Sequence, residues 1–542
     1  MPQATGISNK VRDAVTGFSV AGLMLPEGIA YAQIAGLAPG RALIAAVAGG
    51  LAYAAIGRSR FAVVSPTSSA AAILAASLAS LPGDAATREA AATALVAIVG
   101  LLFLGFALFR LGSLAGFISR PVLRGFAFGL AVTIIVGQLP KLAGLAATSG
   151  PIWAKLTALA AAFPQWHPAS LALGAAALAA LLALRRLPQL PAALLVILAG
   201  IALDRFAHLP ELGIATAGNI ALDLPSFALP AQLPEWTRLV QLAAPIALIL
   251  FAESWGTMRA LALKHGDRIS ANRELGALGA ANLAAAAVQG MPVGAGFSAG
   301  SANEAAGAAS RLSGAVGAAA LLLLALFAGS WIARIPEPIL AAVVIAALTH
   351  ALSPAPFFRL FRIDRDQGIA LAAAAGVLAF GVLDGMLVAV ALSIANLLYD
   401  LSHPSISELG RVGDSHDFVD IARHKEARAL PGLAIFRPNA PLIFANAESA
   451  LFAIAERALK RDAHCIVLSL EESNDLDSTA VEALGEFTSQ LGKAGRHVIL
   501  ARVHDRVREV LDRDGLDNLA AGSTFSVADA VALAAKEART WP

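Results

Sequence analysis

Long apolar stretches follow one another from residue 14 to residue 402, separated by short polar or Gly/Pro-rich segments. A helix needs roughly 20 mostly apolar residues to cross a bilayer. The pattern predicts fourteen such spans: 14–36, 41–57, 61–81, 90–109, 121–139, 168–184, 189–204, 239–263, 271–289, 293–310, 312–333, 337–353, 367–382 and 385–400. The third and the tenth are too irregular to be plain helices. From about Leu430 the pattern changes. Short extended runs at 433–437, 441–444, 465–470 and 497–503 alternate with helices that begin at Glu448, Ser478, Asp505 and Val527. Strands alternating with helices predict a small sheet covered by helices. The expected organisation is a polar N-terminal segment (1–13), an α-helical polytopic membrane part (14–402), a linker (403–429) and a C-terminal α/β domain (430–542).

Composition sharpens this reading. The 542 residues are 57% hydrophobic and 14% charged, where soluble domains carry about 25% charge. That excludes a soluble enzyme, a disordered scaffold and a nucleic-acid-binding protein. The net charge of +2 hides a division into +7 over residues 1–402 and −5 over the rest. With the N-terminus in the cytoplasm, sixteen Lys and Arg, among them Arg120, Arg124 and Arg365, fall on inner segments and seven on outer ones, leaving aside Arg259 near the inner end of span eight, as the positive-inside rule requires. An even number of spans then puts the acidic C-terminal domain in the cytoplasm, beneath the cell's inner membrane. Its single cysteine, Cys465, excludes an intrachain disulfide and a CxxC metal site. Glu27 within the first apolar stretch argues against a cleaved signal peptide.

Fourteen spans suggest two sevens. Span one is expected to break at Pro26-Glu27-Gly28, and about forty residues later comes Phe61-Ala-Val-Val-Ser-Pro-Thr-Ser-Ser69. Span eight carries Glu253, and about forty residues later comes Met291-Pro-Val-Gly-Ala-Gly-Phe-Ser-Ala-Gly-Ser301. An odd number of spans per repeat makes the halves inverted, and matched interruptions in inverted repeats point to a transporter's binding site. After Ser65-Pro66-Thr67 an Ala/Leu-rich helix is expected to start near mid-membrane. After Pro292 and Gly294 to Gly296, Ser298 is expected to cap another, running through Glu304. Two helix N-termini meeting at one cavity offer free N–H groups and partial positive charge, and so attract an anion.

Intramembrane carboxylates are costly and mark function. Glu253 has Thr257 four residues on, on the same helix face. A proton on Glu253 would admit an anion beside it; a sodium ion could instead be held by Glu253 and Thr257. Glu27 is an independent candidate for the coupling ion, whereas Glu304 and Asp384 are expected near span ends.

These residues resemble the sulfate permease family of anion transporters. Pro26-Glu-Gly-Ile-Ala-Tyr-Ala32 with Ile34-Ala-Gly-Leu37 is similar to the family's first span. Gly57-Arg-Ser-Arg60 leading to Val64-Ser-Pro-Thr67 is similar to its third. Asn272-Arg-Glu-Leu275, Gly279-Ala-Ala-Asn282, Gly290-Met-Pro-Val293 and Phe297-Ser298 are similar to spans nine and ten. The resemblance implies seven-plus-seven inverted repeats forming a core and a gate domain, elevator-type transport and a homodimer. It implies a substrate site between spans three and ten involving Tyr31, Ser65, Pro66, Thr67, Glu253, Thr257, Ser298, Ala299 and Gly300. Two departures favour cation-coupled symport over plain exchange. Ala299 stands where many relatives have Arg, and Glu27 where many have Gln. The substrate class stays open among bicarbonate, sulfate, a dicarboxylate and chloride; an anion exchanger and an uncoupled channel are the alternatives within the class.

The C-terminal pattern resembles a STAS domain, with its loop at Asn474-Asp-Leu-Asp-Ser-Thr-Ala480. Asp477 and Ser478 stand at a helix start. The plain reading is a helix cap; in relatives the serine is a phosphorylation site, where the helix end would stabilise a phosphate. A sensor or scaffold acting through this domain is the rival of another class, and the paired breaks and Glu253 argue against it. Nucleobase transporters, similar in fold, typically lack such a domain. Gly296-Phe-Ser-Ala-Gly300 matches the G-x-S-x-G elbow of hydrolases but sits between membrane spans, so no enzyme activity is expected. No cofactor or metal motif is present in the sequence.

Overall fold

The computed structural model describes residues 9–113, 119–146, 150–186, 192–218, 236–363 and 366–537. Parts of the expected N-terminal segment (1–13) and seventh span (189–204) lie outside the described residues, as does Arg365 among the inner cations. The chain divides into two units, Met1–Ser393 and Ile394–Pro542.

In the first half of the membrane unit come α1 (Asn9–Ala35), α2 (Pro39–Ile56), strand β1 (Val64–Pro66) with α3 (Ser68–Ala79), and α4 (Ala85–Leu108). They are followed by α5 (Arg120–Leu142), a short α6 (Ile152–Ala161), α7 (Pro168–Leu184) and α8 (Ala192–Ala207). The second half repeats the order with α9 (Trp236–His265), α10 (Ala271–Ala287), strand β2 (Val293–Ala295) with α11 (Phe297–Ala305), and α12 (Leu312–Phe327). Then come the short α13 (Gly329–Ile332), α14 (Glu337–Leu348), α15 (Ala355–Ile363), α16 (Gln367–Phe380) and α17 (Val382–Ser402), within which the unit boundary falls. Each predicted span finds a helix or a strand–helix pair. Among the described residues, α2, α4, α5, α9 and α17 are long and apolar enough to cross a bilayer by themselves; the others are shorter or more polar.

The packing repeats between the halves. Helix α4 lies on α10 as α12 lies on α2; α1 lies on α12 as α9 lies on α4; α5 lies on α16 as α14 lies on α7. Each pairing turns into the other when segments one to seven exchange with eight to fourteen, as two inverted repeats require. The same pairings sort the helices: α1–α4 pack mainly with α9–α12, and α5 and α7 with α14 and α16.

Two expectations change, and two short helices join the predicted spans. Helix α1 runs unbroken through Pro26. Proline removes one i→i−4 bond, but residues 24–32 are buried throughout, and a helix so enclosed by neighbours tolerates the loss. The eleventh span (312–333) is two helices, α12 and α13, parted at Ala328. Helices α6 and α15, of ten and nine residues, are too short to register as spans.

In the second unit β3 (Ile406–Val412), β4 (Phe418–Asp420), β5 (Ala427–Arg428), β6 (Gly432–Pro438), β7 (Ala463–Ser469) and β8 (His497–Ala501) form one sheet. Strands β6, β7 and β8 are parallel, and β3 is antiparallel to β6. Helices α18 (Ala447–Leu459), α19 (Ser478–Lys493), α20 (Asp505–Arg513), α21 (Asp517–Ala521) and α22 (Val527–Glu537) cover it. Two corrections follow. The expected linker 403–429 carries β3, β4 and β5; Ile406-Ser-Glu-Leu409 does not alternate polar with apolar residues, because the buried face of β3 includes the polar Ser407 beside Leu409. The run 441–444 is not a strand, because its backbone donors are spent on side chains. Ser473 Oγ accepts from Leu442 N (3.0 Å), Asn446 Oδ1 from Ile443 N (3.0 Å) and Asp477 Oδ2 from Phe444 N (2.6 Å).

Candidate functional site

At the centre of the membrane unit β1 and β2 pair antiparallel, Val64 opposite Ala295, Ser65 opposite Gly294 and Pro66 opposite Val293. Both strands are buried along their length. Non-helical backbone survives at this depth only if every polar group is satisfied. Side chains satisfy what the ladder does not. Asn282 on α10 donates to Val293 O (2.9 Å) and accepts from Val293 N (3.0 Å), while Ser254 Oγ on α9 accepts from Ala295 N (2.9 Å). Small residues let the strands sit this close: a Cβ on Gly294 would come within 2.6 Å of Leu250 and 2.7 Å of Ser254 Oγ.

A helix leaves each strand. Thr67 caps α3, its Oγ1 accepting from Ala70 N (3.3 Å). Helix α11 starts earlier than expected: Gly296 is its N-cap, with no side-chain cap bond, and Ser298 is the second helical residue. Glycine is itself a good N-cap, so the serine hydroxyl is not used for capping.

The two helix starts open onto a cavity of about 850 Å³. Glu27, Tyr31, Ser65, Pro66, Thr67, Glu253, Thr257, Ser298 and Ala299 all line it. Gly300 does not line the cavity; a Cβ there would meet Thr257 Cγ2 at 3.2 Å, so it serves the close approach of α11 to α9. Glu27 with Tyr31 on α1, and Glu253 with Thr257 on α9, each present a carboxyl and a hydroxyl one turn apart at corresponding places in the two repeats. Glu253 accepts a hydrogen bond from Ser69 Oγ, which is 3.0 Å from Thr67 Oγ1. Glu27 is 6% exposed, and its Oε1 has no hydrogen-bond partner among the described residues.

Several residues here escaped sequence reasoning. Ser69, the third residue of the Thr-Ser-Ser run at the start of α3, donates to Glu253 on α9; only the packing of α3 against α9 reveals this. Arg120, Arg124 and Arg259 also line the cavity, although the spacing assigned the first two to inner segments and Arg259 to a span end. Phe126, Leu130 and Ile249 supply part of its apolar wall.

In the second unit Asp477 caps α19, with Oδ1 accepting from Ala480 N (2.9 Å) and Oδ2 from Phe444 N. Ser478, the first helical residue, is exposed.

A sulfate permease family profile matches residues 11–374 and a STAS domain profile matches 424–531. A probable sulfate transporter of Mycobacterium tuberculosis is 34% identical over 523 residues, covering 94% of this chain and 93% of that protein. The murine solute carrier 26 family member A9 anion transporter, solved in an inward-facing state, superposes with a TM-score of 0.88 at 20% identity, covering 99% and 92%. The transmembrane domain of a cyanobacterial bicarbonate transporter, BicA, gives 0.62 at 23% identity over 71% and 98%.

Proposed function

The chain belongs to the sulfate permease family, and from that premise we propose that it is a secondary active anion transporter coupled to protons. A small anion such as sulfate, bicarbonate, a dicarboxylate or chloride binds at the facing starts of α3 and α11, against Tyr31, Ser65, Pro66, Thr67, Ser298 and Ala299. Glu253 and Glu27 take up the coupling ion, and Thr257 lies beside Glu253. The packed set of α1–α4 and α9–α12 moves as an elevator past the other helices. The protein acts as a homodimer in the inner membrane with its STAS unit in the cytoplasm, where Asp477 and Ser478 are candidates for regulation.

One observation carries this reading: the β1–β2 ladder sets two helix N-termini beside two carboxyls in a single cavity. The helix ends favour an anion, while an uncompensated buried carboxylate would be costly. The cavity therefore suits an anion together with a proton or cation, better than an anion by itself. Sodium in place of the proton is the alternative that Thr257 would favour.

The test is uptake of a panel of labelled anions into proteoliposomes under imposed pH and sodium gradients. Glu253→Gln should abolish pH-driven accumulation, with anion-for-anion exchange as the activity to look for afterwards. Proton dependence unchanged in that variant would refute the role of Glu253.

A further inference from the structure

Three arginines line the cavity that the transport reading leaves without a task. Arg120 and Arg124 lie four residues apart on one face of α5, and Arg259 lies on α9. Among the described residues none of them has an ion pair or a hydrogen-bond partner. Other inner-side arginines are engaged: Arg12 donates to Gly307 O (2.9 Å), Arg311 to Gly57 O (2.6 Å), and Arg60 pairs with Asp267 (3.1 Å). Sidedness alone explains cations at these helix ends; it does not explain unpaired guanidinium groups turned into a shared cavity.

Their depth is informative. Arg259 follows Glu253 by six residues, about 9 Å along α9, toward the end of the helix that carries Lys264 and His265. Those two groups are committed to Glu304, at 2.5 and 2.7 Å, and do not compete. The acidic groups of the cavity, Glu27 and Glu253, lie deeper. At the helix starts Ala299 brings no cation. The fixed positive charge of this path therefore stands at its inner mouth, contributed by helices from both packed sets.

We infer that Arg120, Arg124 and Arg259 form a second anion subsite at the inner mouth, suited to a divalent oxyanion. Guanidinium forks bind oxyanions bidentately, and a cation-lined cleft with low-dielectric walls concentrates anions by 10-fold or more. The subsite receives the anion on the cytoplasmic side before it reaches α3 and α11. Its place in the path rests on the transport reading; its capacity to bind does not.

Two measurements on the full-length chain test this. In calorimetric titrations with inorganic sulfate in detergent, Arg124→Gln/Arg259→Gln should lose one equivalent of sulfate relative to the parent, and Arg124→Lys/Arg259→Lys should keep it. The lost site should also weaken in the parent as sodium chloride rises through the range where exposed charges are screened. In proteoliposomes, the ratio of internal to external KM should rise roughly 10-fold in the Gln pair. If the Gln pair fails to fold, Arg259→Gln alone should lower the affinity of that equivalent. Unchanged sulfate stoichiometry and affinity, with a KM ratio within about 2-fold of the parent, would overturn the subsite. A lost equivalent in a protein that moves no anion would overturn the transport reading and leave the subsite standing.

Discussion

Asn282 offers a sharp test of how a broken membrane segment is held. The side chain is fully buried and serves both backbone groups of Val293, besides donating to Leu278 O (2.9 Å). Pro66, which faces Val293 across the ladder, has no N–H to offer. Asn282→Leu keeps the approximate volume and orphans one buried donor and one buried acceptor. Each orphan costs about 1–3 kcal/mol, so the loss is roughly 2–6 kcal/mol, a large part of the 5–15 kcal/mol typical of a folded protein. With an unfolding entropy near 2.1 cal/mol/K per residue, a unit reaching Ser393 has about 0.8 kcal/mol/K, and the shift comes to about 2–7 °C. The assay is thermal unfolding of the purified chain in detergent, with Ser254→Ala as the milder companion because it gives up one bond only. A melting temperature for Asn282→Leu within 1 °C of the parent would refute the claim that side chains replace the missing ladder partners.

Further outcomes follow from the same geometry. Lys141 Nζ on α5 donates to Gln33 Oε1 on α1 at 2.6 Å, tying the two packed sets; a hydrogen bond to a charged group contributes about 1.5–3 kcal/mol. Lys141→Met should therefore speed labelling of a cysteine at Ser298 by a membrane-impermeant reagent, in a Cys465→Ser background, by about tenfold or more, and equal rates would show that the tie restrains nothing. Asp477→Ala should cost about 1–3 kcal/mol through its two orphaned amides and raise hydrogen exchange at Phe444 and Ala480, whereas Ser478→Ala should leave both protected. Ser407 Oγ (2.7 Å) and then Ala422 N (2.8 Å) donate to Asp420 and hold its carboxyl below the ordinary 3.8. A depressed folded pKa stabilises above the unfolded value and fails as pH falls through the folded one. Exchange in the β3–β4 corner should accordingly rise below about pH 4, and Asp420→Asn should remove that step.

Much of the helix order in the first unit was legible because a bilayer imposes a minimum length on each apolar stretch. The breaks at 61–69 and 291–301 were legible because Pro and clustered Gly oppose a helix wherever they fall. Pro26 shows the limit of that rule, since enclosure by neighbours outweighs one missing bond. Ser69 and the arginines were not legible as cavity residues for a different reason. Their roles depend on segments more than a hundred residues away, and nothing local distinguishes a serine that reaches Glu253 from one that faces lipid. Strand β3 was missed because its sequence, Ile-Ser-Glu-Leu-Gly-Arg-Val, lacks the alternation of polar with apolar residues that marks a strand: its buried face includes the polar Ser407. Gly296 took the capping role from Ser298 because both types suit an N-cap, and composition does not choose between them.

The ladder also sets a timetable for biogenesis. Strand β1 is complete by residue 66, and its partner begins at residue 293. At 5–20 residues per second, the ribosome needs roughly 11–45 s to make the intervening chain. For that time the first broken segment sits in the membrane without its strand partner, and without Asn282 or Ser254. The nascent chain has no cavity to offer an anion, whatever its first seven segments have already built. Quality control that senses exposed backbone would therefore see every copy of this protein as defective until the second repeat arrives. Ribosome stalling between residues 66 and 293 is the point at which synthesis of this transporter is most exposed to degradation.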